Sequence, residues 1–336
     1  MSSWLEHVNP ARRNIPTSDT AIAQLSLEAE CSGALVLLDT QTIIAVEGPD
    51  TIRFLQGQCT ADLTKLEMGE STLGAICNVK GRVIVTFRAL RTEQGVLLRL
   101  ATDIAEPLVT TLAKYAAFFK VTMTHWPTPS VAILYADPHD LNAVQTQLPN
   151  NVLCSISDSS QAPHMELYVP EKSIEESISA VITRFDETFE YWPEAKWYAD
   201  QIMQGHSIVG QHESEQYLAH PLNLDKSGAI SFTKGCYTGQ EIIARTQYRG
   251  KTKKRVRPVI LECEVATAQQ GFDTGSLTLD ADAKTTVDII SFAPYEPDTT
   301  LAALILPVDQ SVKGVLYLGG KSLPYTIADL PYAIES

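Results

Sequence analysis

The stretch Ile230-Ser-Phe-Thr-Lys-Gly-Cys-Tyr-Thr-Gly-Gln-Glu241 combines a lysine, a cysteine and two glycines in a pattern that neither a strand nor a helix requires. It predicts a loop followed at once by a helix, with a cap at the Thr-Gly pair and Glu241 at the positive end of the helix dipole. A cysteine just before a helix and two residues from a lysine is expected to favour the thiolate, which acts as nucleophile and metal ligand. Cys236 is therefore the candidate reactive thiol and Lys234 its activator. The alternative is that Cys236 is a small buried packing residue.

The segment that follows is strongly basic in an otherwise acidic chain. Forty acidic and 26 basic side chains give a net charge of −14, yet positions 245–257 hold seven basic residues and no acidic one. This concentration indicates an anion-facing patch for RNA, a phosphorylated partner or a polyglutamate tail; the alternative is a solvated linker between domains. The patch comprises Arg245, Arg249, Lys251, Lys253, Lys254, Arg255 and Arg257.

Length and composition limit the class of protein. A chain of 336 residues predicts two or three domains, and 44% hydrophobic with 20% charged residues is typical of a globular protein rather than a disordered one. The negative charge argues against a nonspecific coat on nucleic acid. Six cysteines without a CxxC pair support neither a disulfide framework nor a zinc site. No apolar run approaches the ~18 residues of a membrane span and the N-terminus lacks a signal-peptide core, so we expect a cytoplasmic protein without membrane contact.

The order of apolar runs predicts an α+β fold in three regions. The first contains strands, a helix after Gly48-Pro-Asp50, a hairpin at Asn78-Val-Lys-Gly81 and a helix opened by a capping box at Asp103 and Glu106. The middle region, about 119–186, alternates strands and helices and predicts an antiparallel sheet with helices on one side. The runs after residue 257 show no helical period and predict a small all-β domain.

Several motifs together resemble those of the YgfZ family, folate-binding relatives of the glycine-cleavage T-protein (aminomethyltransferase). The most specific is Lys234-Gly-Cys-Tyr-Thr-Gly-Gln-Glu241. Others are Gly48-Pro-Asp50 with Phe54-Leu-Gln-Gly-Gln-Cys-Thr-Ala-Asp62, Asn78-Val-Lys-Gly-Arg82, Lys114-Tyr115 with Lys120-Val-Thr122, and Pro221-Leu-Asn-Leu224. The matches span about residues 43–255, and the last eighty residues are similar in architecture only.

The resemblance implies a three-domain cloverleaf of the α+β class around a central hole. Its folate-binding domain would be discontinuous, using residues 20–111 and 196–255. A ferredoxin-like α+β domain would occupy residues 112–195, and a C-terminal β-barrel residues 256–336.

The resemblance also implies a cofactor, tetrahydrofolate or a derivative. Trp197 matches a family tryptophan implicated in folate binding; the alternative is an aromatic residue on the buried face of a helix. A second folate-associated tryptophan of the family is replaced here by Gln41. Further cofactor contacts are expected from residues of the matching motifs, namely Asn78, Tyr237, Gln240 and Glu241.

The function implied is that of an accessory protein that supports assembly or repair of iron–sulfur clusters, and thereby tRNA modification, rather than a free-standing catalyst. Its partners would be iron–sulfur enzymes such as a tRNA methylthiotransferase. Cys236 would act as a redox thiol or transient cluster ligand, without a resident metal site. Two alternatives stay open: a tetrahydrofolate-dependent one-carbon transferase or demethylase, and a tRNA-binding module built on residues 245–257. The transferase is disfavoured because residues 81–87 lack the carboxylate that the T-protein reaction needs on this strand.

Overall fold

The computed structural model describes residues 31–126, 131–157, 163–185 and 189–334. The strands of these ranges are β1 (Gly33–Leu37), β2 (Gln41–Glu47), β3 (Ser71–Cys77), β4 (Val83–Arg91), β5 (Gly95–Ala101), β6 (Thr122–His125), β7 (Val131–Ala136), β8 (Leu153–Ser157), β9 (His164–Tyr168), β10 (Phe189–Tyr191), β11 (Lys254–Leu261), β12 (Leu277–Thr278), β13 (Asp288–Pro294), β14 (Thr300–Pro307), β15 (Lys313–Leu318) and β16 (Lys321–Ile327). The helices are α1 (Thr51–Gln56), α2 (Thr102–Ala116), α3 (Pro138–Gln145), α4 (Ile174–Phe185), α5 (Glu194–Met203), α6 (Gln240–Arg249) and α7 (Val265–Thr274). The mixture of helices and three sheets confirms the predicted α+β class.

The first sheet has the strand order β3-β4-β5-β2-β6 and is antiparallel throughout. Its β3–β4 hairpin turns at the predicted Asn78–Gly81, where Gly81 adopts a φ of +70°. Helix α2 packs on this sheet through Ile104, Leu108 and Leu112. The predicted capping box is wrong, because α2 begins at Thr102 after Ala101 and has no side-chain cap.

The second sheet has the order β10-β1-β7-β9-β8 and lies under helices α3 and α4. The strands of the predicted middle region that join this sheet, β7, β9 and β8, pair antiparallel as expected. Two strands from outside that region complete the sheet, and at its edge β1 pairs with β10 in parallel. Strand β1 joins this sheet although it precedes the first sheet in the chain, and β6 returns to pair with β2 of the first sheet. This exchange of strands ties the two sheets together. The exact domain bounds stay a prediction, and residues 20–30 lie outside the described part.

The third sheet has the order β12-β15-β16-β11-β14-β13. Its two edge strands come together where the Val287 amide, just before β13, donates to Leu277 of β12, so the sheet curls towards a barrel. The expectation of an all-β region is wrong over 265–274, which form α7. That helix buries only Ala268 and Gly271, so its apolar positions are too few and too small to produce a visible period in the sequence.

Residues 204–239 form a long connection with few regular elements between α5 and α6. Its apolar side chains, among them Val209, Leu222 and Ile230, share one core with Val83 of the first sheet and Leu301 of the third. This connection therefore holds the two sheets together. Within the described ranges, no helix has the length and hydrophobicity needed to cross a membrane.

Candidate functional site

The loop that carries Cys236 is fastened to the chain that follows α1. The Ser231 amide donates to the Thr60 carbonyl (2.9 Å) and the Thr238 amide to the Gly57 carbonyl (3.2 Å). The buried hydroxyl of Thr60 donates to the Ala229 carbonyl (2.6 Å) and accepts from the Ala75 amide (2.9 Å). The two longest matching motifs of the sequence, 54–62 and 234–241, are thus in direct contact.

Lys234 anchors this loop from inside. Its Nζ donates to the carbonyls of Cys59 (2.7 Å) and Ala61 (2.6 Å) and lies 5.1 Å from the ring centroid of Tyr237. Burial lowers the pKa of Lys234, and the nearby Cys59 and Asp62 oppose that shift. The geometry therefore gives Lys234 a structural role. Activation of the Cys236 thiol by Lys234 stays a prediction.

The hairpin motif 78–82 completes the assembly by packing on the start of α6. Gly239 precedes α6 with a φ of +84°, and a Cβ there would lie 2.6 Å from the Asn78 carbonyl oxygen. A Cβ on Gly81 would lie 2.7 Å from Cβ of Ile242. Only glycine permits the positive φ and this close approach together.

Most polar groups predicted to contact a cofactor serve the loop itself. Asn78 accepts from the amides of Lys80 and Arg82 and donates to Glu215, which closes the hairpin turn. The Gln240 side chain accepts from the Tyr237 amide (3.3 Å). Tyr237 itself is buried, and burial raises its pKa, whereas Glu241 is exposed. Contacts of these residues with a cofactor stay a prediction.

Cys236 is the exposed cysteine among those described. It lies three residues before Gly239, the cap of α6, so it is close to the helix but not at its first turn. Cys59 and Cys77 are buried, and burial raises the thiol pKa of Cys59 to about 11 and that of Cys77 to about 12. These two remain protonated at neutral pH. The alternative reading of Cys236 as a buried packing residue is wrong.

The basic segment divides between α6, a short connection and β11. Arg245, Arg249, Lys251, Lys253 and Lys254 are exposed.

The interpretation as an exposed patch is wrong for Arg255, which is 5% exposed. Its guanidinium donates to both carboxylate oxygens of Asp225 at 2.9 Å and to the His220 carbonyl at 2.8 Å. Arg257 is half-buried. Alternation along β11 places Arg255 and Arg257 on one face of the strand and the exposed Lys254 on the other.

Trp197 on α5 is 1% exposed and packs with its edge against Tyr198, the ring centroids lying 5.0 Å apart. The Arg99 guanidinium lies over the Trp197 ring, 5.0 Å from its centroid, and donates to the Gln41 side chain (2.9 Å). A buried cation and its amide partner therefore occupy the space beside Trp197. The alternative for Trp197, an aromatic residue on a buried helix face, describes its surroundings.

The same guanidinium links the first two sheets. Arg99 donates to Glu166 of β9 at 2.6 Å, and Arg88 of β4 lies 3.3 Å from the second carboxylate oxygen. The Tyr168 hydroxyl also donates to Glu166. Both arginines hold the pKa of the Glu166 carboxyl below its ordinary value despite burial. Glu166 thus neutralises one of two adjacent buried or half-buried cations.

A central cavity lies beside this network. Its water-accessible volume is about 30 Å³, which holds roughly two water molecules. The lining includes Gln41, Thr86, Arg99, His206 and Ser227. The Oγ of Ser227 is buried and has no hydrogen-bond partner among the described residues.

A second, larger cleft of about 560 Å³ opens between the first and third sheets. Four aromatic side chains line it: Tyr198, His212, Phe272 and Phe292. Asp103, Glu213, Thr102 and Ser291 also line it, although the hydroxyl oxygens of Thr102 and Ser291 are themselves buried. Ile208 lines both cavities, so the cleft adjoins the central cavity.

Comparison with known proteins identifies relatives of this chain. A tRNA-modifying protein YgfZ from Vibrio atlanticus is 32% identical over 223 residues, which cover 64% of this chain and 66% of that protein. Proteins of the same name from Shigella sonnei and Escherichia coli O127:H6 are 25% identical over 328 residues, covering 95% of this chain and 98% of each relative. The chain belongs to the YgfZ family. No protein-family model matches it.

This YgfZ-family chain has the same fold as the T-protein. The glycine cleavage system aminomethyltransferase T from Bartonella henselae superposes with a TM-score of 0.69 over 92% of this chain and 90% of that chain, at 15% identity. The expected relation to the T-protein is therefore confirmed at the level of fold.

Sequence reasoning missed the lining of the large cleft. The sequence predicts Asp103 as a capping residue, whereas in the fold it lines the cleft and accepts from the Gln211 amide (3.1 Å). Glu213, Thr102 and Ser291 belong to no motif of the sequence. They come from three separate segments, so the sequence contains no local signal for their meeting.

Proposed function

We propose that this protein is a folate-binding accessory factor that supports assembly or repair of iron–sulfur clusters and thereby tRNA modification. The tRNA-modifying designation of its relatives motivates the second part. The observation that carries the proposal is the exposed Cys236 thiol on a loop held rigid by the buried Lys234 and Thr60. An exposed thiol on a rigid loop suits a transient cluster ligand or redox thiol, because it can contact another protein while the loop that carries it stays folded.

The thiol role is tested by Cys236→Ser in cells that lack this protein. We expect loss of most of the activity of a client iron–sulfur enzyme and a fall in thiolated tRNA, with an unchanged melting temperature. Cys154→Ser is the matched control, since Cys154 is half-buried and lies on β8 in the second sheet. Full support of the client enzyme by Cys236→Ser would contradict the role.

The volumes of the two cavities bear on where a folate could be held. A bound folate would supply one-carbon units, which it carries on its pterin and aminobenzoyl portion. Sites for ligands of this size measure ~300–1,000 Å³. The central cavity beside Trp197 is too small as folded, whereas the large cleft has sufficient volume and both aromatic and polar walls. Volume and lining therefore support the large cleft over the central cavity as the site of a folate.

A contact with tRNA is a second candidate, supported by the exposed part of the basic segment. Five exposed basic residues lie between positions 245 and 254, and Glu241 is the nearest acidic residue before them in the chain. Tyr248, 71% exposed, stands among them and could stack on an unpaired base. This combination of cations and an exposed ring suits RNA better than an acidic peptide.

Charge reversal tests the RNA contact. Lys253→Glu with Lys254→Glu should lower tRNA affinity at least ~10-fold at low salt and reduce the slope of log affinity against log salt by about 1–2, because each phosphate contact releases counterions. Lys313→Glu with Lys321→Glu is the matched control, since both lysines are exposed on the third sheet. Equal tRNA retention by the two double variants would exclude this face as the RNA site.

A further inference from the structure

We propose that unpaired RNA binds over the loop that carries Cys236, so that bound tRNA covers the thiol and excludes a client protein from it. The inference rests on the proposed contact with tRNA and deepens it by naming the surface and its relation to the thiol. Three segments form this surface, which we call the thiol face: the hairpin tip 79–80, the loop 230–239, and the exposed side of α6.

Side-chain contacts join the three segments into one continuous surface. Ile242 on α6 packs against the hairpin, since a Cβ on Gly81 would lie 2.7 Å from its own Cβ. Phe232 of the loop contacts Tyr248 of α6, and their ring centroids lie 6.4 Å apart. Cys236 is four residues from Phe232, so the Cα atoms of these two residues lie within roughly 14 Å of each other whatever path the loop takes. A ligand that contacts Tyr248 therefore lies close to the exposed thiol.

The charge around the thiol face favours a polyanion. Exposed basic side chains lie on the hairpin, on α6 and on the connection that follows α6, namely Lys80, Arg82, Arg245, Arg249, Lys251, Lys253 and Lys254. Two exposed carboxylates adjoin them, Glu241 at the start of α6 and Glu215, which accepts a hydrogen bond from Asn78 of the hairpin. In a chain of net charge −14, this local excess of cations attracts a ligand of the opposite charge.

Two exposed apolar side chains favour unpaired bases over a duplex. Tyr248 is 71% exposed, and Phe232, which packs on the core between the first and third sheets, supports it from one side. Val79 at the hairpin tip is 76% exposed. A duplex presents mainly phosphates and sugars, whereas unpaired bases can stack on an aromatic ring. Single-strand sites typically cover ~4–16 nucleotides, so a strand stacked on Tyr248 extends over its neighbours on the thiol face.

A shared surface makes the two proposed contacts of this protein alternate. A client iron–sulfur enzyme needs the Cys236 thiol to be accessible, and RNA on the thiol face blocks that access. Each ligand therefore lowers the affinity for the other by the same factor. The client would reach the thiol only after the RNA has left.

The test measures the rate at which a maleimide labels Cys236 with and without tRNA, on the full-length chain. The background is Cys154→Ser, because Cys154 is half-buried whereas the other described cysteines are buried. At a tRNA concentration of ~10 times Kd, labelling should slow ~10-fold, since only about one protein molecule in eleven is free. Single-stranded RNA should protect the thiol at lower concentration than a duplex of the same sequence.

Tyr248→Ala separates stacking from charge. It should weaken tRNA binding ~10-fold, while the slope of log affinity against log salt stays unchanged because no cation is removed. Phe118→Ala is the matched control and should leave the affinity unchanged. Phe118 is 85% exposed and precedes β6, at the edge of the first sheet opposite the hairpin.

The outcomes distinguish the inference from the proposed contact with tRNA. Unchanged labelling of Cys236 while tRNA is bound would overturn the inference and leave the tRNA contact standing. Equal tRNA affinity of Tyr248→Ala and the parent protein, or protection of the thiol by polyglutamate as strong as that by RNA, would also overturn it. Absence of tRNA binding by the parent protein would overturn both, whereas the thiol role is decided separately by Cys236→Ser.

Discussion

Among single residues, Lys234 has a structural role that its closeness to Cys236 in the sequence does not indicate. Sequence separation places it two residues from Cys236, but its ammonium group binds the carbonyls of Cys59 and Ala61 in the interior. A flexible side chain of this length reaches in whichever direction offers buried acceptors, and the sequence does not specify that direction. The loop is therefore held in place by the lysine closest to its thiol.

The substitution Lys234→Met should lower the free energy of unfolding by about 2–4 kcal/mol, because two buried carbonyls lose their donor. It should also raise the rate at which a maleimide labels Cys236, since the loop is released. Urea unfolding and labelling in a Cys154→Ser background measure both, with exposed Lys251→Met as the control. Unchanged stability with slower labelling would instead mean that Lys234 acts on the thiol, as the sequence predicts.

At the scale of elements, the start of α6 depends on its contact with the β3–β4 hairpin. Gly239 combines a positive φ with a backbone neighbour at 2.6 Å from a would-be Cβ, whereas Gly228 has a similar φ of +80° and open space around it. Alanine substitutions at the two glycines therefore distinguish two contributions to the free energy of unfolding, one from the backbone conformation and one from the close contact.

We expect Gly228→Ala to cost about 1 kcal/mol of stability, the price of a left-handed conformation for an L-residue. Gly239→Ala should cost at least ~3 kcal/mol, because the added methyl group also displaces the hairpin. Denaturant unfolding of the two variants measures the difference. Equal losses would show that α6 and the hairpin do not need this close approach.

At the scale of the whole molecule, the first two sheets meet at a buried charge network whose excess positive charge acts on His206. Burial, followed by Arg88, Arg99 and His164, lowers the pKa of His206 from 6.5 to about 3. The unfolded chain therefore binds a proton below pH 6.5 that the folded chain does not bind until about pH 3. Stability from this residue is complete above pH 6.5 and is lost as the pH falls towards 3.

This linkage predicts a slope of up to ~1.4 kcal/mol per pH unit in the free energy of unfolding between pH 6 and 4. His206→Gln should flatten that slope, and the control His139→Gln should retain it, because His139 is exposed. Urea unfolding at several pH values provides the comparison. An equal slope in both variants would assign the acid sensitivity to other groups.

Local patterns in the sequence are enough to predict the α+β class, the hairpin at 78–81, the helix after the cysteine loop and the motif set that marks the family. These features depend on local periodicity, on turn chemistry and on short spacings, all of which can be read along the chain. The folded chain alone shows that β1 and β6 exchange sheets, that Arg255 is buried against Asp225, and that one cleft is lined by Thr102, Asp103, Glu213 and Ser291. The physical reason is that pairing and burial of distant segments follow from the packing of whole faces, which no local pattern encodes.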